Sequence, residues 1–217
     1  MPSAKSAAAA NRCLMEPAKS YDGVIFDYGG VLVHHQSESD HARMAALAGI
    51  SADTFSELYW SDRHDYDKGI LTGAEYWQHL ATRAGALFTP AVIEQLTEID
   101  SVTWMKFDTV MWDWIEELRG EKKRVAILSN MPRDLGETIK TRTDKFDRFD
   151  QVTLSYEVHS VKPEPAIYEQ CLEGIGTAPE RTLFLDDRIA NVQGAELLGI
   201  RAVHFTSRDE VLLRLRA

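Results

Sequence analysis

Cysteines are scarce in this sequence, and Cys13 and Cys171 lie far apart. Two isolated cysteines do not suggest a disulfide framework or a cysteine metal site, so a cytoplasmic location is expected. No apolar run approaches the ~18 residues of a membrane-spanning helix. Residues 1–19 also contain no apolar stretch typical of a secretory signal. We therefore interpret residues 1–19 as a disordered tail and expect no membrane partner.

Basic residues are outnumbered, with 24 Lys and Arg against 34 Asp and Glu and a formal net charge of -10. Nucleic acids and anionic membrane surfaces attract positive charge, so neither is expected as the main partner. A local basic pocket for an anionic small molecule remains compatible with this balance. The length of 217 residues suits one mid-sized domain, or a core with an inserted subdomain. The sequence does not indicate the oligomeric state.

The most informative stretch is Gly23–Leu32, where an apolar run ends in Asp27 and two glycines follow. A short apolar run of this kind predicts a strand buried in a parallel sheet. Asp27 would then lie at the carboxyl end of the strand, where open α/β sheets bind ligands. Gly29 and Gly30 would allow the backbone to approach a ligand closely. Taken alone, the stretch fits equally well an aspartate that caps a strand–helix turn.

Residues 35–105 show helical patterns and no convincing strand. Thr72 and Glu75 have the spacing of a capping box, and Pro90 is typical of a helix start. A block of this length is too long for a loop between a strand and a helix. We therefore predict a helical cap, residues 35–105, inserted into a core formed by residues 20–34 and 106–217.

Strands and helices alternate from Asp108 onward. The predicted strands are 124–129, 149–154, 182–186 and 201–205. The predicted helices are 110–118, 132–141, 165–172, 190–198 and 210–215. This alternation predicts an α/β fold with a doubly wound parallel sheet.

Polar residues follow the predicted strands or precede the next helix: Asp27, Ser129, Asn130, Lys162, Asp186 and Asp187. The carboxyl ends of parallel strands converge on one crevice. Three carboxylates within a few ångströms cannot all stay ionised without cations. Lys162 supplies one positive charge, and a hard divalent ion such as Mg²⁺ would supply the rest. The Ser129 hydroxyl, Lys162 and nearby backbone N–H groups can bind a phosphate, whose phosphorus Asp27 can attack.

Four motifs occur in order along the chain: DYGGVL at 27–32, LSN at 128–130, VKPEP at 161–165 and FLDDRIAN at 184–191. They resemble the motifs of the haloacid dehalogenase-like (HAD) hydrolases, and the resemblance extends from about Tyr21 to Phe205. It implies a Rossmann-like core with a helical cap between the first two motifs.

The resemblance also implies a role for each motif residue. Asp27 would be the nucleophile, Ser129 would bind phosphate, and Lys162 would contact both. Mg²⁺ would be held by Asp27, the Gly29 carbonyl, Asp186 and Asp187. Gly29, Gly30 and Asn130 are further candidates for phosphate binding. The expected partner is a small phosphorylated substrate.

Gly29 departs from the family pattern, because phosphatases of this family usually have a second Asp there as general acid and base. Such a group typically contributes about 10²–10⁴-fold to the rate. One interpretation is a substrate whose leaving group needs little protonation, such as a sugar 1-phosphate. The branch with an Asp-x-Gly first motif includes sugar-1-phosphate phosphatases, which this chain resembles.

Two alternatives remain. In a metal-independent 2-haloacid dehalogenase Asp27 would attack carbon, but those enzymes usually start with Asp-x-Tyr-Gly-Thr, and Tyr28 is one place early. The chain could instead bind a phosphorylated ligand without catalysis, although retention of Asp27 argues against this. We favour a Mg²⁺-dependent phosphatase.

Several further residues are open to two interpretations. His34 and His35 either replace the missing acid or are ordinary linker residues. Asn191 either orients Asp187 or faces solvent. Aromatic residues at helical spacing are usually core, and we expect this of most of Trp60, Trp77, Trp112 and Trp114. If cap residues select the substrate, the best candidates are in the polar Arg63–Lys68 turn, within the set Trp60, Arg63, His64, Tyr66, Lys68 and Trp77.

Overall fold

A computed structural model of the chain describes residues 21–216. It contains a five-stranded sheet in the order β3-β2-β1-β4-β5, with every neighbouring pair parallel. The strands are β1 Gly23–Phe26, β2 Arg124–Ser129, β3 Gln151–Leu154, β4 Thr182–Asp186 and β5 Arg201–His204. The predicted α/β fold with a doubly wound parallel sheet is confirmed. The strand order reverses between β1 and β4, and such switch points are where open sheets bind ligands.

The first strand is buried on both faces. Val24, Ile25 and Phe26 are fully buried. Val24 and Phe26 belong to one hydrophobic cluster and Ile25 belongs to another. Because successive side chains of a strand point to opposite faces, β1 packs against helices on both sides. This explains why its sequence is continuously apolar rather than alternating.

Strand register brings the predicted site residues to one edge of the sheet. Phe26 pairs with Ile127 of β2 and with Leu185 of β4. The Asp27 N–H donates to the carbonyl of Leu185 at 2.9 Å. Asp27 therefore leaves the sheet beside the ends of β2 and β4, where the other candidate residues lie.

Five helices separate β1 from β2: α1 Glu38–Ala48, α2 Ala52–Tyr59, α3 Arg63–Asp67, α4 Gly73–Arg83 and α5 Pro90–Thr103. The capping box of Thr72 and Glu75 is present, and Pro90 occupies the first turn of α5. These helices bury a hydrophobic cluster of their own, which includes Met44, Phe55 and Trp77. The separate cluster is compatible with an inserted subdomain, and the boundaries 35–105 stay a prediction.

The remaining helices are α6 Thr109–Gly120, α7 Arg133–Arg142, α8 Ser155–Val158, α9 Pro165–Ile175, α10 Ile189–Leu197 and α11 Arg208–Arg216. The sequence did not predict α3, which was expected to be a turn, or α8. Both span only four or five residues, too few to show a helical period. The predicted tail 1–19, including Cys13, lies outside the described residues. Within the described part, no helix is long and apolar enough to cross a membrane.

Two hydrogen bonds and one ion pair join the short helix α3 and the residue that follows it to the core. The Tyr66 hydroxyl donates to the Asp134 carboxylate at 2.7 Å. Lys68 Nζ lies 2.7 Å from the Glu164 carboxylate. The Ser155 hydroxyl donates to the Asp67 carbonyl at 2.5 Å. These contacts place α3 above the carboxyl edge of the sheet.

Candidate active site

Asp27 has one engaged and one available carboxylate oxygen. Oδ1 accepts a hydrogen bond from the Tyr28 N–H at 2.6 Å and lies 2.8 Å from Lys162 Nζ. Oδ2 makes no hydrogen bond with any residue in the described range. Because Oδ1 is held from two sides, the carboxylate orientation is fixed and Oδ2 is available to a ligand.

Lys162 lies between two carboxylates. Its Nζ is 2.8 Å from Asp27 Oδ1 and 2.7 Å from Asp186 Oδ2, and its side chain is only 1% exposed. Burial by itself lowers the pKa of the Lys162 ammonium, but the two carboxylates more than offset this and the pKa is raised. The lysine is therefore a permanent positive charge at the base of the site.

The Asp186 carboxylate accepts hydrogen bonds from three residues. The donors are Lys162 Nζ at 2.7 Å, the Arg188 N–H at 2.8 Å and Asn191 Nδ2 at 3.0 Å. Burial raises the pKa of Asp186, but Lys162 and these hydrogen bonds bring the pKa below its usual value. Asp186 is thus held in its ionised form.

The expectation that Asn191 either orients Asp187 or faces solvent is wrong. Asn191 is buried and donates to both oxygens of Asp186. The expectation assumed helical spacing from Asp187, whereas α10 begins only at Ile189. The two aspartates therefore lie before the helix, where that spacing does not apply.

Asp27, Asp186 and Asp187 form an acidic cluster, in which one oxygen from each residue lies within 4.8 Å of the others. Burial, together with the charges of Asp186 and Asp187, raises the pKa of Asp27 well above its usual value even though Lys162 lowers it. A further cation would relieve this repulsion, and carboxylate oxygens are the ligands that Mg²⁺ prefers. The acidic cluster therefore fits a hard divalent ion.

Asp187 is the most accessible member of the acidic cluster, with 22% of its side chain exposed. Its Oδ2 lies 2.9 Å from His35 Nε2. His34 is exposed and contributes a backbone hydrogen bond to the Lys106 carbonyl. Of the two histidines, only His35 reaches the site.

Space requires a glycine at position 30 and leaves little room for a side chain at position 29. Gly30 has a φ of +73°, and a Cβ there would lie 2.5 Å from His35 Nε2 and 2.6 Å from Asp187 Oδ2. A Cβ on Gly29 would lie 3.2 Å from the Trp104 ring. Trp104 thus packs close to the position where a side chain at residue 29 would begin.

Ser129 and Asn130 follow β2 and differ in what their side chains contact. The Ser129 hydroxyl has no hydrogen-bond partner among residues 21–216 and belongs to the wall of a cavity. The Asn130 side chain instead accepts from the Lys162 N–H at 2.8 Å and donates to the Lys162 carbonyl at 3.0 Å. The side chain of Asn130 is therefore committed to Lys162 rather than free for a phosphate.

The cavity has a volume of about 420 Å³ and lies between the core and the helices of residues 35–105. Its core side includes Asp27, Ser129, Lys162 and Asp187, and its other side includes Trp60, Arg63, Asp67 and Trp104. Two members of the predicted Arg63–Lys68 segment thus face the site. His64 is instead 62% exposed and Lys68 is paired with Glu164.

Three of the four tryptophans for which a core position was considered are buried, and one is not. Trp77, Trp112 and Trp114 are buried. Trp60 is 52% exposed and lines the cavity. Its position one residue beyond α2 explains why the helical spacing gave no sign of this.

Arg63 and Asp67, named here the cap pair, are joined by a hydrogen bond from Arg63 Nε to Asp67 Oδ1 at 2.9 Å. Arg63 Nη1 donates to the Tyr59 hydroxyl at 2.8 Å and to Asp100 Oδ2 at 3.0 Å. Burial raises the pKa of Asp67 to about 6, although Arg63 opposes the shift. The Arg63 guanidinium, which binds the carboxylates of both Asp67 and Asp100, therefore forms part of the wall of the cavity.

Sequence reasoning missed Asp100 and Trp104. Asp100 occupies the same face of α5 as the buried Leu96 and Thr103 and is only 2% exposed. A carboxylate on an otherwise buried helical face was the available signal.

The chain is similar in sequence to several proteins, among them the following three. Sesquiterpene phosphatase astK of Aspergillus oryzae is 24% identical over 197 residues, which are 91% of this chain and 96% of the relative. D-ribitol-5-phosphate phosphatase of Bacteroides thetaiotaomicron is 25% identical over 188 residues, 81% of this chain and 87% of the relative. Drimenol cyclase drtB of Aspergillus calidoustus is 28% identical over 198 residues, 88% of this chain, but the match spans only 35% of that longer protein.

Solved structures share the fold. The HAD family enzyme bt-2542 of Bacteroides thetaiotaomicron, in complex with magnesium and inorganic phosphate, superimposes with a TM-score of 0.73 at 24% identity. The superposition covers 88% of this chain and 99% of that one.

The family profile described as "Hydrolase: haloacid dehalogenase-like hydrolase" matches residues 21–199, which include all four motifs. The resemblance inferred from these motifs is confirmed: the chain belongs to the haloacid dehalogenase-like hydrolases.

Proposed function

We propose that the protein is a Mg²⁺-dependent phosphomonoester hydrolase that works through an aspartyl-phosphate on Asp27. The observation that carries this proposal is the position of Lys162, whose Nζ lies 2.8 Å from Asp27 and 2.7 Å from Asp186. The Ser129 hydroxyl, which has no hydrogen-bond partner among the described residues, borders the same cavity. An anionic nucleophile beside a fixed cation and a free donor suits an anionic phosphoryl group.

In the first step Asp27 Oδ2 attacks phosphorus, the bond between phosphorus and the leaving oxygen breaks, and the leaving oxygen takes a proton from water to depart as the alcohol. Lys162 and Ser129 hold the other phosphoryl oxygens. Water then attacks the aspartyl-phosphate, which releases inorganic phosphate and restores Asp27.

Mg²⁺, when bound by Asp27, Asp186 and Asp187 together with the Gly29 carbonyl, would neutralise negative charge at the phosphoryl group. The raised pKa of Asp27 supports this role for Mg²⁺, since burial and the acidic neighbours oppose ionisation of the nucleophile. Closure of the helices over the site would exclude water during the first step.

The proposed substrate is a small phosphorylated metabolite, with a sugar phosphate favoured and a sugar 1-phosphate the leading example. Gly29 offers no side-chain acid, and an anomeric oxygen leaves more readily than an ordinary alkoxide. The relatives differ in the substrate that their names give, since one is a D-ribitol-5-phosphate phosphatase and another a sesquiterpene phosphatase.

Neither alternative accounts for the site as well. A haloacid dehalogenase needs no cation and so gives no role to the acidic cluster. A binding protein needs no nucleophile and gives no role to the free oxygen of Asp27.

The test is a phosphate-release screen over sugar, polyol, nucleotide and acid phosphates, with Mg²⁺ or with a chelator. Asp27→Asn is expected to abolish turnover, while Asp113→Asn, which changes an exposed aspartate of α6, retains it. Chloride release from a 2-haloacid in the presence of chelator would support the dehalogenase instead. A phosphorylated ligand that raises the melting temperature without being hydrolysed would support the binding protein.

A further inference from the structure

We infer that the cap pair, Arg63 and Asp67, recognises neighbouring hydroxyl groups of the leaving alcohol, so that the preferred substrates are phosphate esters of polyhydroxy compounds. This inference rests on the proposed phosphatase function. It assigns the selection of the leaving group to two residues of α3.

The guanidinium of Arg63 is held in one orientation. Nε donates to Asp67, and Nη1 donates to Tyr59 and Asp100. The guanidinium carbon also lies 5.0 Å from the ring centroid of Tyr59 and 5.3 Å from that of Tyr66. Because the group is planar, these contacts fix the position of the remaining nitrogen, Nη2.

Nη2 of Arg63 takes no part in the hydrogen bonds to Tyr59, Asp67 and Asp100, and among the described residues only the Tyr76 hydroxyl is a further neighbour of the guanidinium with which a hydrogen bond forms. The side chain is only 7% exposed, yet Arg63 borders the cavity. At least one N–H donor of a buried, charged group is therefore left for a ligand, and leaving such a donor unpaired is unfavourable.

Asp67 offers the complementary acceptor. Oδ1 accepts from Arg63, whereas Oδ2 forms no hydrogen bond with residues 21–216. The Ser155 hydroxyl donates to the Asp67 carbonyl at 2.5 Å and accepts from the Met131 N–H at 2.9 Å. This link holds Asp67 against the segment that begins with Ser129, so that the cap pair and the proposed phosphate site belong to one cavity.

A donor beside an acceptor matches neighbouring hydroxyls, since each hydroxyl both donates and accepts. An apolar alcohol in the same place would displace water and leave Nη2 of Arg63 and Oδ2 of Asp67 without a hydrogen-bonding ligand. Trp60 adds an exposed indole whose centroid lies 6.0 Å from the Arg63 guanidinium carbon. Its apolar ring can cover the C–H groups of a polyol while the cap pair binds the hydroxyls.

The test compares D-ribitol 5-phosphate with n-pentyl phosphate, which has the same number of carbons and no hydroxyls. The expected kcat/KM of the wild type is at least about 10²-fold higher for the ribitol ester. Asp67→Asn keeps an oxygen for Arg63 Nε but replaces the second oxygen with an amide that donates. It is expected to lower kcat/KM about 10-fold or more for the ribitol ester and less than about 3-fold for the pentyl ester.

His64→Gln is the matched control, because His64 lies on the same helix, is exposed and is not part of the cavity wall. It should leave both values unchanged. Equal losses on the two esters in Asp67→Asn would show a merely structural role and overturn the inference. Preference of the wild type for farnesyl phosphate would overturn it as well.

Binding provides a second readout that does not depend on turnover. In Asp27→Asn, D-ribitol 5-phosphate should raise the melting temperature more than n-pentyl phosphate does, and adding Asp67→Asn should remove the difference. If n-pentyl phosphate is hydrolysed in an Asp27-dependent reaction and the ribitol ester is no better, the inference fails while the proposed function stands. If the wild type hydrolyses no phosphate ester, both fail. Should Asp67→Asn not fold, the comparison of the two esters on the wild type still decides.

Discussion

The side-chain amide of Asn130 binds both backbone groups of Lys162, with its oxygen 2.8 Å from the Lys162 nitrogen and its nitrogen 3.0 Å from the Lys162 carbonyl oxygen. The segment after β2 thus sets the position of a lysine that lies 32 residues further along the chain. The ammonium between Asp27 and Asp186 depends on this support.

Asn130→Ala should therefore act through Lys162. We expect kcat to fall about 10-fold while KM changes less than about 3-fold, because loss of two hydrogen bonds loosens a group that must be well placed. Steady-state kinetics on the best phosphate ester will measure this, with the exposed Gln78→Ala as control. A change confined to KM would show instead that Asn130 acts on substrate binding.

Lys162→Met should destabilise the fold as well as abolish activity. The substitution leaves Asp27 and Asp186 buried without their shared cation, and removing one partner from a buried ion pair typically costs about 3–5 kcal/mol. Urea unfolding at pH 7 will give the change in the free energy of unfolding, with the exposed Lys122→Met as control. An unchanged free energy of unfolding would mean that Lys162 contributes nothing to stability.

Mg²⁺ should stabilise the wild type, and Asp187→Asn should weaken this effect. Asp187 is the accessible member of the acidic cluster, so its substitution removes a proposed ligand with little damage to packing. Stabilisation of about 2.7 kcal/mol is expected at 100 times the dissociation constant. Thermal unfolding over a Mg²⁺ titration measures it, and Asp113→Asn should behave as the wild type. Identical titrations for Asp187→Asn would exclude Asp187 as a ligand.

Ionisation of Asp67 should make the fold less stable as the pH rises. Burial raises the pKa of Asp67 from 3.8 to about 6, so its contribution is fully present below pH 3.8 and is lost as the pH rises through 6. The shift corresponds to about 3 kcal/mol.

The free energy of unfolding of the wild type, relative to Asp67→Asn, should decrease by up to this amount over that interval. Denaturant unfolding at a series of pH values measures the difference, and Asp113→Asn should show none. A difference that grows with pH would reverse the sign and contradict the raised pKa.

Gly29→Asp should increase activity towards alkyl phosphates more than towards anomeric ones. An acid at this position helps most when the leaving oxygen is a poor leaving group, and a gain of about 10-fold or more is expected for n-pentyl phosphate. The new Cβ would lie 3.2 Å from Trp104, so the indole must shift by a few tenths of an ångström. Equal gains on n-pentyl phosphate and a sugar 1-phosphate would contradict the leaving-group argument.

The parts of the molecule that the sequence predicted best are those with a strong local pattern. The strand Thr182–Asp186 has the predicted bounds, because it is a short apolar run between turn residues. The caps at Thr72 and Pro90 follow from backbone hydrogen bonding alone. The sheet edge that gathers Asp27, Lys162 and Asp186 follows from the geometry of parallel strands.

The parts that could not be predicted depend on contacts between distant segments. No local pattern indicates that Asn191 binds Asp186, since that contact depends on where α10 begins. The buried ion pair of Arg63 and Asp100 joins residues 37 positions apart. The roles assigned to the individual site residues stay predictions, and the experiments above test them.

The Ser155 hydroxyl joins α3 to the segment after β2, which has a consequence for protein engineering. A chimera that exchanged residues 35–105 with those of a related enzyme would keep this hydrogen bond only if the new backbone placed a carbonyl at the position of Asp67. Asp134 and Glu164 would also lose the hydrogen bonds from Tyr66 and Lys68, unless the exchanged segment supplied donors in the same places. New substrate preferences are therefore more accessible by single substitutions within α3 than by transplanting the whole helical block.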